Sequence, residues 1–156
     1  MRLLRPLLRS RWLLLSLLFC LIPGTPAARA ENRCDAADRE LFSKVPSWSE
    51  LREWHAKYPD CDDGALSEGV SDDVVISLAK KWQDLPKLES QIKRHPDFKD
   101  FVLGHIDATT DWDDLQAVLD NATQRCPKRS SALCASIAEA ARKARDEAKQ
   151  NAGTPG

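Results

Sequence analysis

ALSEGVSDDVVISLAKKW, residues 65–82, is the stretch that decides the fold class. Leu66, Val70, Val74, Leu78 and Trp82 recur at every fourth position, the spacing that lines one face of an α-helix. Gly69 and the β-branched Val74-Val75-Ile76 run weaken the interior of such a helix. Ser71, followed by Asp72 and Asp73, offers a cap from which a fresh helix could start. One helix or two, the segment is helical.

The same pattern continues on both sides. Upstream, 36–45 places Leu41, Phe42 and Val45 on one face, and Pro46 stops it. In 47–58, Ser47 and Glu50 fit a capping box, and Trp48, Leu51, Trp54 and Tyr58 follow at three- and four-residue steps. Pro59 closes that helix and DCDDG makes a turn. Downstream, 86–94 starts on Pro86 at a favourable first-turn position and carries Leu88 and Ile92. Residues 96–106 repeat the device with Phe98, Phe101, Val102 and Ile106, and 111–122 carries Trp112, Leu115, Val118 and Leu119. A last helix, rich in Ala and charge, spans about 131–149. Sustained two-residue alternation is absent, and Asp63-Gly64, the one hairpin-type dipeptide, has helical patterns on both sides. The expected fold is all-α, an irregular bundle or helical-hairpin array of about six short helices, with the four Trp that follow the leader supplying much of the core.

The first thirty residues read differently. MRLLRPLLRSR holds four Arg and no acid, WLLLSLLFCLI is a short apolar run, and the segment ends in Ala28-Arg29-Ala30. A basic start, a short apolar stretch and an A-x-A ending make a secretory signal peptide, 1–30, cut after Ala30. Eleven apolar residues fall short of the roughly 20 that span a bilayer, so no membrane anchor is expected after cleavage. A single domain over 31–149 and a flexible tail over 150–156 complete the organisation.

Cleavage shifts the charge balance. The leader takes five Arg and no Asp or Glu, so the mature chain keeps 18 basic and 24 acidic residues, a formal net of −6. That balance disfavours nucleic acid and anionic membranes as partners and is compatible with a basic protein, but plain solubility is the commoner reason for such a charge. Cys20 departs with the leader, leaving Cys34, Cys61, Cys126 and Cys134. Four Cys in a small exported domain read as two disulfides, with three connectivities open. Cys34–Cys61 and Cys126–Cys134 are favoured because each closes a short local segment. Zinc is disfavoured, since neither a C-x-x-C nor a nearby His accompanies any of them.

Residues that carry chemistry elsewhere have plainer roles here. YPDCDDG resembles a calcium loop, but the EF-hand order breaks at Gly64 and Ser71. His55, His95 and His105 each fall near a helix C-terminus, where a cation is favoured by the helix dipole. FVLGHIDATTDWDDL, 101–115, reads as a helix–loop–helix joint in which Thr110 caps the second helix, with Asp113 three residues on. Trp112 and Leu115 would then start its buried stripe. Asn121-Ala122-Thr123 matches a glycosylation sequon. No nucleophile, phosphate-loop or metallohydrolase motif is present, so no cofactor, no metal and no enzymatic activity are expected. The surface carboxylates Asp111, Asp113, Asp114, Asp62 and Asp63 are the candidate partner-binding residues.

The leader ending A-R-A, the four remaining Cys, and short helices punctuated by WQDLP and HIDATTDWDDL together resemble small exported helical immunity proteins, the Rap or Tai type. Bacteria use these against antibacterial effectors delivered into the periplasm. The resemblance covers 1–149 as architecture and carries over no interface residue. It implies a periplasmic inhibitor that neutralises a basic toxin by direct binding. An envelope accessory or structural protein without inhibitory role is the alternative. A helical, lysozyme-like hydrolase comes third, with Glu68 as its one candidate acid.

Overall fold

In the computed structural model, residues 26–41 and 44–153 are described, with side chains from residue 33 onward except that of Leu41. Seven α-helices and no strands occur among them: α1 (Pro26–Leu41), α2 (Trp48–Lys57), α3 (Gly64–Lys80), α4 (Leu85–Arg94), α5 (Phe98–Gly104), α6 (Trp112–Gln124) and α7 (Ser131–Ala152). Single 3₁₀ turns, Trp82–Asp84 and Lys128–Ser130, join α3 to α4 and α6 to α7. The all-α expectation holds. Most of the proposed leader lies outside the described residues, as does Phe42, whereas Pro26–Ala30 form the first part of α1. α7 runs three residues past the expected end, to Ala152, and residues 154–156 are not described.

The central stretch is one helix. Ser71 caps nothing, because its side chain turns to α5 and the loop after it instead of to its own backbone. Val70, Val74 and Leu78 are buried as the four-residue spacing requires, and Val75 joins them. Leu66 and Trp82, at the two ends of the stripe, are only partly covered. At the start of α3 the chain passes through a left-handed turn at Gly64, φ 55°. That conformation is costly for any residue with a Cβ.

α2 begins with the expected capping box. The Glu50 N–H donates to Ser47 Oγ, and the Ser47 N–H donates to Glu50 Oε2 at 2.7 Å. The Ser47 backbone first, then its hydroxyl and Lys44, hold the Glu50 carboxyl down to about 2. Trp48, Leu51, Trp54 and Tyr58 are buried from this helix. The Trp54 indole N–H reaches the Ala37 carbonyl at 3.1 Å, and the Tyr58 hydroxyl donates to Glu40 at 2.8 Å. α1 is held by these contacts, by Arg33 on the Lys57 carbonyl and by the Cys34–Cys61 disulfide.

α6 and α7 form an antiparallel hairpin closed by Cys126–Cys134, and α3 lies against α6. Both favoured disulfide pairs are thus present. Ala138, Ala141 and Ala144 bring α7 close to its neighbours without side chains in the way, and Leu133 and Ile137 fill the space beside them. Asn121 ties α6 to α3. Its side-chain amide donates to the Leu78 and Ala79 carbonyls at 3.0 Å each, satisfying two of the acceptors left open at the end of α3. The residue is 4 % exposed, so its amide nitrogen is committed to the core despite the sequon.

Trp112 departs from expectation. It opens α6 but is 37 % exposed, flanked by Arg145 and Lys149 of α7, with the Arg145 guanidinium carbon 4.2 Å from the ring centroid. Its position at the first residue of the helix places it at the open end of the α6–α7 hairpin, where its ring contacts among the described residues come from α7. Only Trp48 and Trp54 of the four are fully in the core.

Candidate functional site

The joint between α5 and α6, packed on the middle of α3, gathers more polar chemistry than any other described part of the molecule. Asp111, not Thr110, caps α6: its carboxylate accepts from the backbone N–H groups of Asp113 and Asp114 at 2.9 and 3.0 Å. Thr110 is buried and donates its hydroxyl to the Asp107 carbonyl. The cap falls one residue later than the capping-box spacing implies, because the backbone turns extended at Asp111.

Beneath this joint lies a chain of four side chains that no sequence motif announces. His105 Nε2 is 3.0 Å from Asp62 Oδ2, and His105 Nδ1 is 2.9 Å from Ser71 Oγ. The Ser71 hydroxyl donates to Asp107 Oδ2 at 2.7 Å. With that single proton directed at Asp107, the Ser71 oxygen is free to accept, and all three contacts are satisfied when both ring nitrogens donate. Phe101 meets the His105 ring edge-on at 4.5 Å, and the His55 ring lies tilted against Phe101 at 4.2 Å. Burial pushes Asp62 up, but the hydrogen bond and charge of His105, with help from Ser67 and His55, hold it below the usual carboxylate range. Burial keeps His55 below the usual imidazole range, against Asp97 and Asp62, which work the other way.

A serine, a histidine and an aspartate in hydrogen-bond sequence invite comparison with a nucleophilic triad. The geometry argues for a structural role. Ser71 has 0 % exposure and sits mid-helix with its hydroxyl already donating to a carboxylate, so no substrate carbonyl has a path to it. The network joins three segments, namely the turn after the Cys34–Cys61 bridge, α3, and the α5–α6 joint. Glu68, the one candidate acid for a hydrolase, is exposed in the middle of α3 rather than buried at a helix end.

Above the network is an acidic face. Desolvation first, then the charges of Asp107, Asp111, Asp114 and Glu68, hold Asp72 above the usual carboxylate range. Lys80 offsets part of this through an ion pair with Asp114 at 2.8 Å. Of the carboxylates expected to meet a partner, Asp111 and Asp114 stand at this face; Asp113 is exposed in the same first turn of α6, and Trp112, next to Asp111 in sequence, lies at the edge of the face between Arg145 and Lys149 of α7. Asp62 is turned inward to His105, and Asp63 caps α3 by accepting from the Gly64 N–H. Asp72, Asp107 and Glu68, from other parts of the chain, complete the cluster. Their separation in sequence hides the grouping until α3 is laid against the joint.

One buried carboxylate belongs to neither layer. Asp73 is almost fully covered, its Oδ2 has no hydrogen-bond partner among the described residues, and burial, reinforced by Asp72 and opposed by Lys81, pushes it up to about 6. A carboxyl raised in the folded state destabilises the fold above that value, and the penalty disappears as pH falls from about 6 towards the unfolded value. Asp73→Asn is therefore expected to raise stability at pH 7 by about 2 kcal/mol and to flatten the stability profile between about pH 4 and 6. Urea unfolding at several pH values measures both, and an unchanged profile would contradict the assignment.

Comparison with family models, curated proteins and solved structures gives no match to this chain.

Proposed function

We propose that the mature chain is a periplasmic protein-binding protein of the immunity type, which neutralises a basic effector by docking it on the face formed by Trp112, Asp72, Asp107, Asp111, Asp114 and Glu68. The observation that carries this reading is the gathering of Asp107, Asp111, Asp114 and Glu68 around Asp72, whose charges add to desolvation in holding its carboxyl above the usual range. Like charges gathered on one face work against folding, and a basic partner surface relieves that repulsion on binding. Trp112 is the only exposed large hydrophobic side chain among the described residues, and it opens the helix that presents Asp113 and Asp114. Tryptophan ringed by polar side chains is the usual composition of a binding hot spot. The two disulfides are compatible with export to an oxidising compartment.

The test is identification of any toxin gene adjacent to the gene for this chain, co-expression with its product, and calorimetry on the purified pair. Protection from toxicity and a dissociation constant in the nanomolar range are expected. The double reversal Asp72→Lys/Glu68→Lys is expected to lower the association rate at least tenfold at low salt and to reduce its dependence on ionic strength. An unaltered rate in that variant would remove the acidic face from the interface.

A further inference from the structure

A cavity of about 240 Å³ lies between the start of α2, the end of α3 and the start of α4, lined by Val45, Pro46, Trp48, Ser77 and Lys81, with further lysines at Lys44 and Lys87. We propose that this cavity binds a small organic carboxylate, its oxyanion on Ser77 and Lys81 and its apolar body against Val45, Pro46 and Trp48.

Four features favour an oxyanion. Ser77 is 3 % exposed and among the residues that line the cavity, and its hydroxyl has no hydrogen-bond partner among the described residues. Lining groups of that kind in a folded protein are normally paired, so an unpaired one marks a place where a ligand or solvent belongs. Lys81, one helical turn further along α3, makes a single long contact of 3.4 Å to the Val45 carbonyl, which leaves ammonium donors to spare. Lys44 and Lys87 are paired with Glu50 and Asp84 at 3.2 and 2.9 Å, so three ammonium groups face two carboxylates in a protein whose overall charge is negative. Finally, two helices start at this cavity. α2 has used its capping box on the Glu50 N–H, and α4 has no side-chain cap bond at Asp84. The N–H groups left at the start of α2 give the site further positive character, whereas in α4 the Leu85 N–H already donates to the Trp82 carbonyl and Pro86 has none.

The size and walls choose among oxyanions. A volume of about 240 Å³ exceeds what a bare inorganic ion fills, since one water takes about 30 Å³ of liquid. Val45, Pro46 and Trp48 supply an apolar wall that rewards a hydrocarbon or aromatic body.

Amide NMR titration of the full mature protein with benzoate, acetate and inorganic phosphate tests the proposal. Benzoate is expected to shift the amides of Trp48, Ser49, Ser77 and Lys81 saturably, with a dissociation constant on the order of 1 mM. It should bind at least tenfold tighter than acetate or phosphate. Lys81→Met and Ser77→Ala should each weaken it at least fivefold while unfolding stays cooperative. Asp113→Lys, in the first turn of α6, should leave it unchanged. Absence of saturation at about ten times that concentration would overturn the site. Unchanged affinity in both cavity variants would do the same, and acetate or phosphate binding as tightly as benzoate would overturn the organic-carboxylate assignment.

Discussion

Cys34→Ala/Cys61→Ala is expected to lower the stability of the mature protein by about 3.5 kcal/mol, and Cys126→Ala/Cys134→Ala by about 2.5 kcal/mol. The order follows from loop length, 27 residues against 8, because a longer closed loop removes more freedom from the unfolded chain. The two bridges also differ in what they hold. Cys126–Cys134 clamps a hairpin whose helices already share a long interface with Leu133, Ile137 and the Ala stripe. Cys34–Cys61 anchors α1, which otherwise depends on the Trp54–Ala37 hydrogen bond, the Glu40 contacts and Arg33. Loss of the first bridge should therefore free α1 ahead of the rest. Hydrogen exchange would show residues 33–40 losing protection while α3, α6 and α7 keep theirs. A larger loss from the shorter loop, or unchanged protection in α1, would contradict this division.

His105→Ala is expected to cost about 3–4 kcal/mol at pH 7, among the largest effects of any single change outside the apolar core. Deleting the ring leaves Asp62 partly buried without its partner, removes the N–H that Ser71 Oγ accepts, and opens a space beside Phe101. Ser71→Ala, which takes away one hydroxyl but keeps the His105–Asp62 contact, should cost only about 1–2 kcal/mol. The deficit of His105→Ala should also depend on pH. Asp62 has a depressed folded pKa, so it contributes stability above its unfolded value of 3.8 and loses it as pH falls through the lower folded value. The gap between wild type and variant should thus narrow only as pH falls below 3.8 through the lower folded value, leaving the part due to the lost ring contacts. Parallel unfolding curves at every pH would show that the Asp62 pairing is not the source of the stability.

Much of this architecture is legible in the sequence. The stripe Val70, Val74, Leu78 and the capping box Ser47–Glu50 can be read directly, because both depend on neighbours within one or two helical turns. The disulfide pairs were legible for a related reason, each closing a local segment. Features made by distant residues were not. Asp62, Ser71 and His105 meet across 34 and 43 residues, and nothing local distinguishes this His from His95, which also ends a helix. Dipole placement explains where the three histidines fall, but His105 is held by hydrogen bonds and His55 by aromatic contact. Asn121 shows the converse, a local motif whose side chain the fold uses for something else. Spacing alone assigns Trp112 to the core, yet the first residue of a helix has no preceding turn to place it, and its ring lies against Arg145 and Lys149 of α7. The acidic face was half legible. Asp111 and Asp114 are near enough in sequence to be noticed, whereas Asp72 and Glu68 join them only through the docking of α3.

Calorimetry of the purified effector with wild-type protein and with Trp112→Ala tests the central claim most directly. The indole is exposed and its loss should leave the unfolding midpoint nearly unchanged, so a binding defect cannot be ascribed to misfolding. Nanomolar binding by the wild type and an affinity at least thirtyfold weaker in the variant, about 2 kcal/mol, is the predicted result. Equal affinity in the two proteins, or no binding by either, would contradict the assignment of this face as the inhibitory surface.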